Sequence, residues 1–428
     1  MRRVGDPLAT APRHCCTAAR CVPASARMTW RSTMALETTR YRPRQRPIAS
    51  ARALPTVLPE FLRTYIQNAE AALAEPFKGI TIDGAAFSGL YPIRPTGVAT
   101  HPIRAAAEAV LAALDQAQRA AIQFPIESDA WRRWSNIHIF TMRHGVCLEA
   151  MDPAQRERAL ALLQASLSAQ GFQTARDIMR LNETIAEITD RWEEYGEWLY
   201  WLSLFGTPSA DEPWGWQIDG HHLIINCFVL GEQVVMTPMF MGSEPVEADA
   251  GRYAGTRVFA AEESRGLALA RSLTAEQRRA AVLSDQLPPE VFAGAFRDNL
   301  ELRYQGIRAD RLTAPQQELL LDLIETYVGR MAEGHATIKM DEVRRYLTDT
   351  HFAWMGGVEE DSVFYYRVHS PVILIEFDHQ RGVALDYDVP TRSHIHTVMR
   401  TPNRNDYGKD LLRQHYAQAA HHQAARTG

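Results

Sequence analysis

The sequence predicts an α+β protein in which a helical N-terminal half packs on a mixed or antiparallel β-sheet core formed by the C-terminal half. Apolar residues recur at helical spacing through residues 51–210, whereas extended apolar runs mix with helices over residues 211–428. The pattern changes at Pro213, and no internal repeat or low-complexity linker follows residue 51. We therefore expect one domain over residues 51–428.

The helical half contains segments with helical spacing at residues 101–123, 152–171, 173–189 and 191–204. The second segment is the clearest, because Asp152 can cap its start, Pro153 suits the first helical position and Gly171 suits the stop. The fourth is rich in aromatic residues, which is more typical of a helix that faces the core than of a ligand cage.

The C-terminal half alternates between extended and helical patterns. Strands are predicted at residues 214–230, 233–241, 363–368, 372–378, 383–387 and 393–399. The dipeptide Gly231-Glu232 predicts a hairpin turn between the first two strands. Helices are predicted at residues 261–283, 288–303, 315–332 and 339–348, and another from about Asp406.

Composition and charge exclude several classes of protein. Apolar residues make up 46% and charged residues 23% of the chain, as in a globular protein, and no run reaches the roughly 18 apolar residues of a membrane span. Ten of the 46 basic residues but only two of the 51 acidic ones lie in residues 1–50, so the rest of the chain is acidic. We therefore expect neither nucleic-acid binding nor membrane insertion.

Residues 1–50 are predicted to be a disordered or mis-annotated extension. They are rich in arginine but lack the apolar segment of a secretory signal, and translation starting at Met28 or Met34 would explain them better than a targeting function. The five cysteines include no CxxC pair, which favours a reducing compartment and a cytoplasmic location. The sequence does not indicate an oligomeric state.

The common catalytic motifs are absent from the sequence. It contains no HExxH, no GxSxG, no GxxxxGK[ST] and no GxGxxG after a predicted strand. The corresponding zinc proteases, serine hydrolases, nucleotide hydrolases and nicotinamide enzymes are therefore not supported.

Histidines are concentrated where the C-terminal strands are predicted, and three of them are candidate metal ligands. His394 and His396 are two residues apart on a strand, so their rings share one face and can converge on a metal ion. His221 and His222, on an earlier strand, should face opposite sides, and we assign His222 as the third ligand. The alternative for an isolated histidine among apolar residues is a hydrogen-bonded place in the core. The expected cofactor is a divalent metal, zinc or iron.

Charged residues near these histidines are candidate catalytic groups. Glu376 lies in an otherwise apolar strand, where a carboxylate is costly unless it is paired, protonated or bound to a cation. We assign it as a metal ligand or general base and Arg400 as a substrate anchor, with a structural Glu376–Arg400 ion pair as the alternative. We assign Asp406 a catalytic role, with capping of the following helix as the alternative. The remaining candidates are His221, His369 and Asp378.

Four blocks of the sequence are long and unusual: WGWQIDGHHLIINCFVL, TPMFMGSEP, FYYRVHSPVILIEFD and HIHTVMRTPNRNDYGKDLLRQHY. Together with HGVCLEAMD and LYWLSLFGTPS they resemble the DUF3500 family, a family of unknown function, over roughly residues 51 to 418. The resemblance implies one family-wide domain that excludes the arginine-rich extension. It implies no activity.

Three functions remain open from the sequence. The first is a metal-dependent enzyme, a hydrolase or an oxygen-using enzyme, that acts on a small molecule through a histidine and carboxylate site. The second is a metal-free enzyme that uses histidine and glutamate as an acid–base pair. The third is a non-catalytic binding or structural protein. Convergence of His222 with the C-terminal histidines would favour the first.

Overall fold

Helices predominate in the first half of the chain and strands in the second, as predicted for an α+β fold. The structure is a computed structural model, and it describes residues 39–46, 50–52, 57–137 and 143–418. These residues belong to one compact unit, Thr38–Gly428. Most of the predicted extension lies outside the described residues, but Tyr41 is buried and Pro43 forms a β-bridge with Leu385.

The described helices are α1 Glu60–Ala74, α2 His101–Ala113, α3 Gln116–Ile122, α4 Pro153–Ser166, α5 Ala169–Thr189, α6 Ala260–Ser272, α7 Ala275–Ala281, α8 Ala314–Val328, α9 Glu333–Arg345 and α10 Lys409–Gln418. Several begin at the side-chain caps that the sequence suggests. Asp152 and Gln155 form a capping box at the start of α4, and Thr313 and Gln316 form one at the start of α8. None of the described helices combines the length and apolar character needed to cross a membrane.

The described strands are β1 Gln123–Phe124, β2 Val146–Cys147, β3 Tyr200–Phe205, β4 Trp214–Gly220, β5 Leu223–Leu230, β6 Gln233–Val235, β7 Met239–Ser243, β8 Val282–Ser284, β9 Ile307–Arg308, β10 His351–Gly356, β11 Phe364–His369, β12 Leu374–Arg381 and β13 Pro390–Arg400. They form one mixed sheet in the order β1-β3-β4-β5-β7-β13-β12-β11-β10-β8. In addition, β2 pairs with β3, β6 with β5 and β9 with β10. The antiparallel pairing of β13 with β7 joins the C-terminal strands to the β3–β7 strands.

The two faces of the sheet are covered by separate hydrophobic clusters. Alternate residues such as Leu223 and Ile395 pack with side chains of the helices in one cluster. The side chains of Ile224, Phe240 and Val398, which lie side by side on neighbouring strands, point to the opposite face and pack in a second cluster. We call the latter the site face, because it carries the candidate ligands.

Two of the predicted helices are wrong. Residues 191–204 form turns followed by β3, whose side chains are all buried and whose backbone pairs with β4, so tertiary pairing overrides the helical spacing. Residues 288–303 form an irregular loop. The backbone amides of Phe292 and Ala293 in this loop donate to the Glu376 carboxylate at 2.6 and 2.9 Å. A side chain from the sheet thus accepts the hydrogen bonds that backbone carbonyls would accept in a helix.

The predicted helix stop at Gly171 is also wrong. Helix α4 ends at Ser166, and Gly171 lies inside α5. A Cβ atom on Gly171 would lie 2.1 Å from the carbonyl oxygen of Arg330. Close approach of two backbone segments, rather than termination of a helix, is therefore what requires glycine here.

The other predicted elements overlap the observed ones, with three differences among the strands. Residues 214–230 form two strands rather than one, and residues 233–241 divide into β6 and β7. Residues 383–387 contribute only an isolated bridge at Leu385. The predicted turn at Gly231-Glu232 is confirmed, because Leu230 pairs with Gln233.

Candidate metal centre

Three imidazole rings meet on the site face of the sheet. The Nε2 atom of His396 lies 3.0 Å from the Nε2 atoms of both His394 and His222, and these last two atoms are 3.3 Å apart. All three residues are buried: His222 and His396 are each 5% exposed and His394 is 2% exposed. Among the described residues they form a group that could hold a metal ion. The structure thus brings together the three residues assigned as ligands.

The strand geometry explains why two of these rings converge. His394 and His396 are alternate residues of β13, so both side chains project from the site face. The neighbouring strand β7 places Gly242 directly opposite His396. A Cβ atom at Gly242 would lie 2.9 Å from Cδ2 of His396 and 3.3 Å from Cδ2 of His222. Glycine at this position therefore leaves room for both rings.

The third ring comes from a tight turn and not from the middle of a strand. His221 and His222 are the two turn residues of the β4–β5 hairpin, whose flanking residues Gly220 and Leu223 pair. The expectation that the two histidines face opposite sides of one strand is therefore wrong. His222 has a φ of 63°, a left-handed conformation that costs a non-glycine residue about 1 to 2 kcal/mol. Such strain is often kept where a side chain has a function.

His221 supports this turn. Its ring stacks on the ring of His222 with centroids 3.9 Å apart, and its Nδ1 atom lies 2.7 Å from Oδ1 of Asn182 in α5. The hydroxyl of Tyr200 donates to the carbonyl of His221 at 3.0 Å. These contacts make His221 a neighbour that orients the turn.

Hydrogen bonds at Nδ1 fix the protonation pattern of two of the three rings. The Nδ1 atom of His394 is 2.6 Å from the carbonyl oxygen of Arg381, which can only accept. The Nδ1 atom of His396 is 2.8 and 3.0 Å from the two carboxylate oxygens of Glu290. Both rings therefore donate from Nδ1, which leaves the Nε2 lone pair free for a metal ion.

The distances between the three Nε2 atoms indicate what kind of ion the group could hold. Burial lowers the pKa of His394, partly offset by Glu244, so protonation of this ring is disfavoured. With both Nδ1 atoms protonated, the Nε2 lone pairs of His394 and His396 face each other at 3.0 Å and repel unless a proton or a metal ion lies between them. Zinc–nitrogen distances of about 2.0 to 2.1 Å in a tetrahedron place the ligand atoms about 3.3 Å apart. The spacing of the three Nε2 atoms thus fits a transition-metal ion.

Carboxylates lie next to two of the three candidate ligands. Glu290 bonds to His396 and is 43% exposed, so it lies between the buried rings and solvent. Partial loss of contact with water opposes ionisation of Glu290, but the hydrogen bonds from His396 and from the backbone amide of Val291 hold the pKa of the carboxyl below its usual range. Glu244, which is buried, lies 3.8 Å from Nδ1 of His394. Carboxylates in such outer positions orient histidine ligands and raise their basicity.

The other assigned residues lie on the same face but make different contacts. Besides the amides of Phe292 and Ala293, Glu376 accepts a hydrogen bond from the Tyr365 hydroxyl at 3.0 Å. Burial raises the pKa of Glu376, although Arg367 and these three hydrogen bonds favour its charged form. Glu376 thus attaches the loop that carries Glu290 to the sheet.

Arg400 and Asp406 belong to a buried ion-pair network. The guanidinium of Arg400 donates to Asp406 at 2.8 Å and to Asp298 at 2.6 Å, so the alternative of a structural ion pair with Glu376 is wrong. Arg132 and the hydroxyl of Tyr407 also donate to Asp298, at 3.0 and 2.9 Å. The catalytic roles assigned to Glu376, Arg400 and Asp406 stay predictions, and these contacts favour structural roles.

His369 and Asp378, the remaining candidates, are also buried on the site face. The ring of His369 packs against Tyr304 with centroids 4.6 Å apart, and burial and Arg367 lower its pKa to about 3. Asp378 pairs with His396 across β12 and β13 and accepts a hydrogen bond from Gln380. Burial, together with Glu290 and Glu376, raises the pKa of Asp378 well above its usual range.

Sequence reasoning missed two residues of this centre. Glu290 lies in the segment predicted as a helix, and the Pro288-Pro289 pair just before it was the signal for a loop. Gly242 lies just beyond a predicted strand, where a glycine can mark a close approach of another group.

An α+β fold whose sheet carries a buried group of three histidines, suited to a metal ion, defines the class of this protein. The chain belongs to the DUF3500 family, described as a protein of unknown function, which matches residues 96–409. All three histidines and Glu290 lie inside the matched segment. No curated protein matches the chain. No solved structure matches it either.

The contact between Glu290 and His396 leads to a first prediction. Glu290→Gln keeps the size of the side chain but removes the charge, so we expect metal affinity to fall by about 10- to 100-fold while the protein still folds. Competition with a zinc chelator of known affinity measures the change, and circular dichroism checks the fold. Glu360→Gln, at an exposed position, is the control. Equal affinities of the two variants would contradict the role of Glu290.

Proposed function

We propose that this protein is a metal-dependent enzyme that acts on a small molecule, with one divalent metal ion held by Nε2 of His222, His394 and His396. The convergence of these three atoms within 3.3 Å carries the proposal. The bonded Nδ1 atoms of His394 and His396 support it, because they leave both rings in the tautomer that binds metal through Nε2.

The donor set favours zinc and hydrolysis. Within the described residues the group that could hold an ion consists of three histidines without a carboxylate. Catalytic zinc is held by such a set with a further position open, whereas the non-haem iron oxygenases use two histidines and one carboxylate. Bound zinc would lower the pKa of a coordinated water towards neutrality and so supply a nucleophile. Iron, with oxygen chemistry, is the second candidate.

The protein's own residues would hold and shield such a site. Gly242 admits the rings, His221 and Asn182 support the strained turn, and Glu290 fixes the orientation of His396. Burial of the three ligands keeps bulk water from the metal-binding atoms, which strengthens electrostatic interactions there.

Elemental analysis tests the proposal. Protein purified without an affinity tag is expected to contain about one zinc or iron ion per chain, because the three neutral ligands and two nearby carboxylates balance a divalent charge. The metal that is found decides between hydrolysis and oxygen chemistry. His101→Gln, which alters an exposed histidine, serves as a control that keeps its metal.

A metal content well below one per chain, unchanged after chelation and incubation with zinc or iron, would reject the proposal. The Glu290–His396 hydrogen bond, which is partly exposed, would then support the metal-free acid–base enzyme. In that case, activity towards a substrate would survive treatment with a chelator.

A further inference from the structure

We infer that the small molecule handled at this centre is neutral or positively charged and offers N–H or O–H donors, and is neither a carboxylate nor a phosphate ester. This inference rests on the proposed function and names the substrate class for the same site. It comes from the groups around the three histidines, which are acidic and rich in unused acceptor atoms.

Carboxylates account for the ion pairs described for the triad. Glu290 lies against His396 and Glu244 near His394. Glu244 also accepts hydrogen bonds from the backbone amides of Val383, Ala384 and Leu385 at 2.9 to 3.1 Å, which stabilise a negative charge in a buried position. The two carboxylates thus already balance the charge of a divalent ion, and an anionic ligand would give the site a net negative charge.

Two further carboxyl groups on the site face have atoms without partners. Asp378 lies directly across from His396, is fully buried, and its Oδ1 atom has no hydrogen-bond partner in the described part of the chain. Asp219 lies on β4, three residues before His222; it is 1% exposed, and neither of its carboxyl oxygens has a hydrogen-bond partner of good geometry among the described residues. Burial raises the pKa of Asp219 well above its usual range, as it does for Asp378, and so favours the neutral form of both carboxyl groups. Buried acceptors without donors are costly, so a ligand that donates would gain from meeting them.

The guanidinium groups of the site face are committed elsewhere. Arg400 is held by Asp298 and Asp406. Arg367 lies on β11, two strands away from β13, and donates to Gln305. Its partner across the strand pair is Glu376 on β12. Within the part of the chain that the structure describes, the buried Nε atom of Arg367 has no hydrogen-bond partner, but Glu376 on β12 lies between Arg367 and the strand β13 that carries His394 and His396. Neither arginine is placed to bind an anionic group of a substrate at the metal.

The visible spectrum of the cobalt-substituted protein tests the inference, because ligands that reach the metal change the cobalt absorption bands. Tag-free protein in which Co²⁺ replaces the native metal is titrated at neutral pH with azide, an anion, and with imidazole, a neutral ligand. We expect the Kd for imidazole to be at least about tenfold lower than that for azide, because like charges in a site of low dielectric repel strongly. Azide binding as tightly as imidazole, or more tightly, would overturn the inference.

A variant links the preference to the two aspartates. Asp219→Leu with Asp378→Leu is expected to narrow the ratio of the two Kd values by at least about threefold, because imidazole, unlike azide, has an N–H group that can donate to the buried carboxyl oxygens, and leucine removes these acceptors. Asp361→Leu, at an exposed position, is the matched control and should leave the ratio unchanged. An unchanged ratio in the double variant would overturn the role of the aspartates. Failure of cobalt to bind to the wild-type protein would instead reject the proposed function, and this inference with it.

Discussion

His222→Gly is expected to abolish stoichiometric metal binding while leaving the metal-free protein about as stable as the wild type. The substitution removes one of three ligands, so the loss of affinity should exceed the roughly 10- to 100-fold loss typical of an outer-shell change. Glycine adopts a φ of 63° without steric cost, so about 1 to 2 kcal/mol of backbone strain is released and offsets the lost packing of the ring.

Two measurements on the same samples check this prediction. Elemental analysis after incubation with zinc gives the metal content, and urea unfolding of the chelated protein gives the free energy of unfolding. His394→Gly is the informative comparison, since this ligand lies on a strand, where glycine relieves no left-handed strain and weakens the sheet. Full metal content in His222→Gly would show that the turn histidine is not a ligand.

Two of the three candidate ligands can be placed on one face from the sequence because the relevant rule is local. The two-residue period of a strand puts His394 and His396 on one face whatever the rest of the fold does. His222 was assigned for the wrong geometric reason, since it lies in a turn with a left-handed backbone and not within a strand. The pairing of β7 with β13, which brings the turn to the other two histidines, depends on contacts between residues about 150 positions apart and leaves no local pattern.

The second coordination layer was harder to predict for the same reason. Glu290 reaches His396 from a loop whose apolar spacing resembled that of a helix. Its position is set by Glu376, which binds the amides of Phe292 and Ala293, and by Arg400, which donates to the carbonyl of Ala293 at 3.2 Å. The sequence does mark Glu376 as unusual, because it is a charged residue in an apolar strand. Only the three-dimensional structure shows that it holds a neighbouring loop.

Arg400→Met is expected to destabilise the protein by about 3 to 5 kcal/mol, the typical cost of removing one partner from a buried ion-pair network. The side chain is fully buried, and its loss leaves Asp406 with the backbone amide of Thr401 at 2.8 Å and Asp298 with Arg132 and Tyr407. Burial alone would favour a neutral guanidinium, but Asp406 and Asp298 outweigh it and raise the pKa of Arg400. Methionine has a similar length but removes the positive partner of Asp406 and leaves Asp298 with one arginine, Arg132, instead of two.

Urea unfolding compared with Arg413→Met, which alters an arginine whose side chain is 61% exposed, measures this effect. The control should change the free energy of unfolding by less than about 1 kcal/mol, because exposed ion pairs contribute little. A substrate anchor without a structural role would give the opposite pattern: wild-type stability together with impaired binding of a substrate. Since Arg400 also holds the carbonyl of Ala293, the folded fraction of the Arg400→Met variant should bind zinc more weakly than the control, which would connect the buried network to the Glu290 loop and thus to the metal centre.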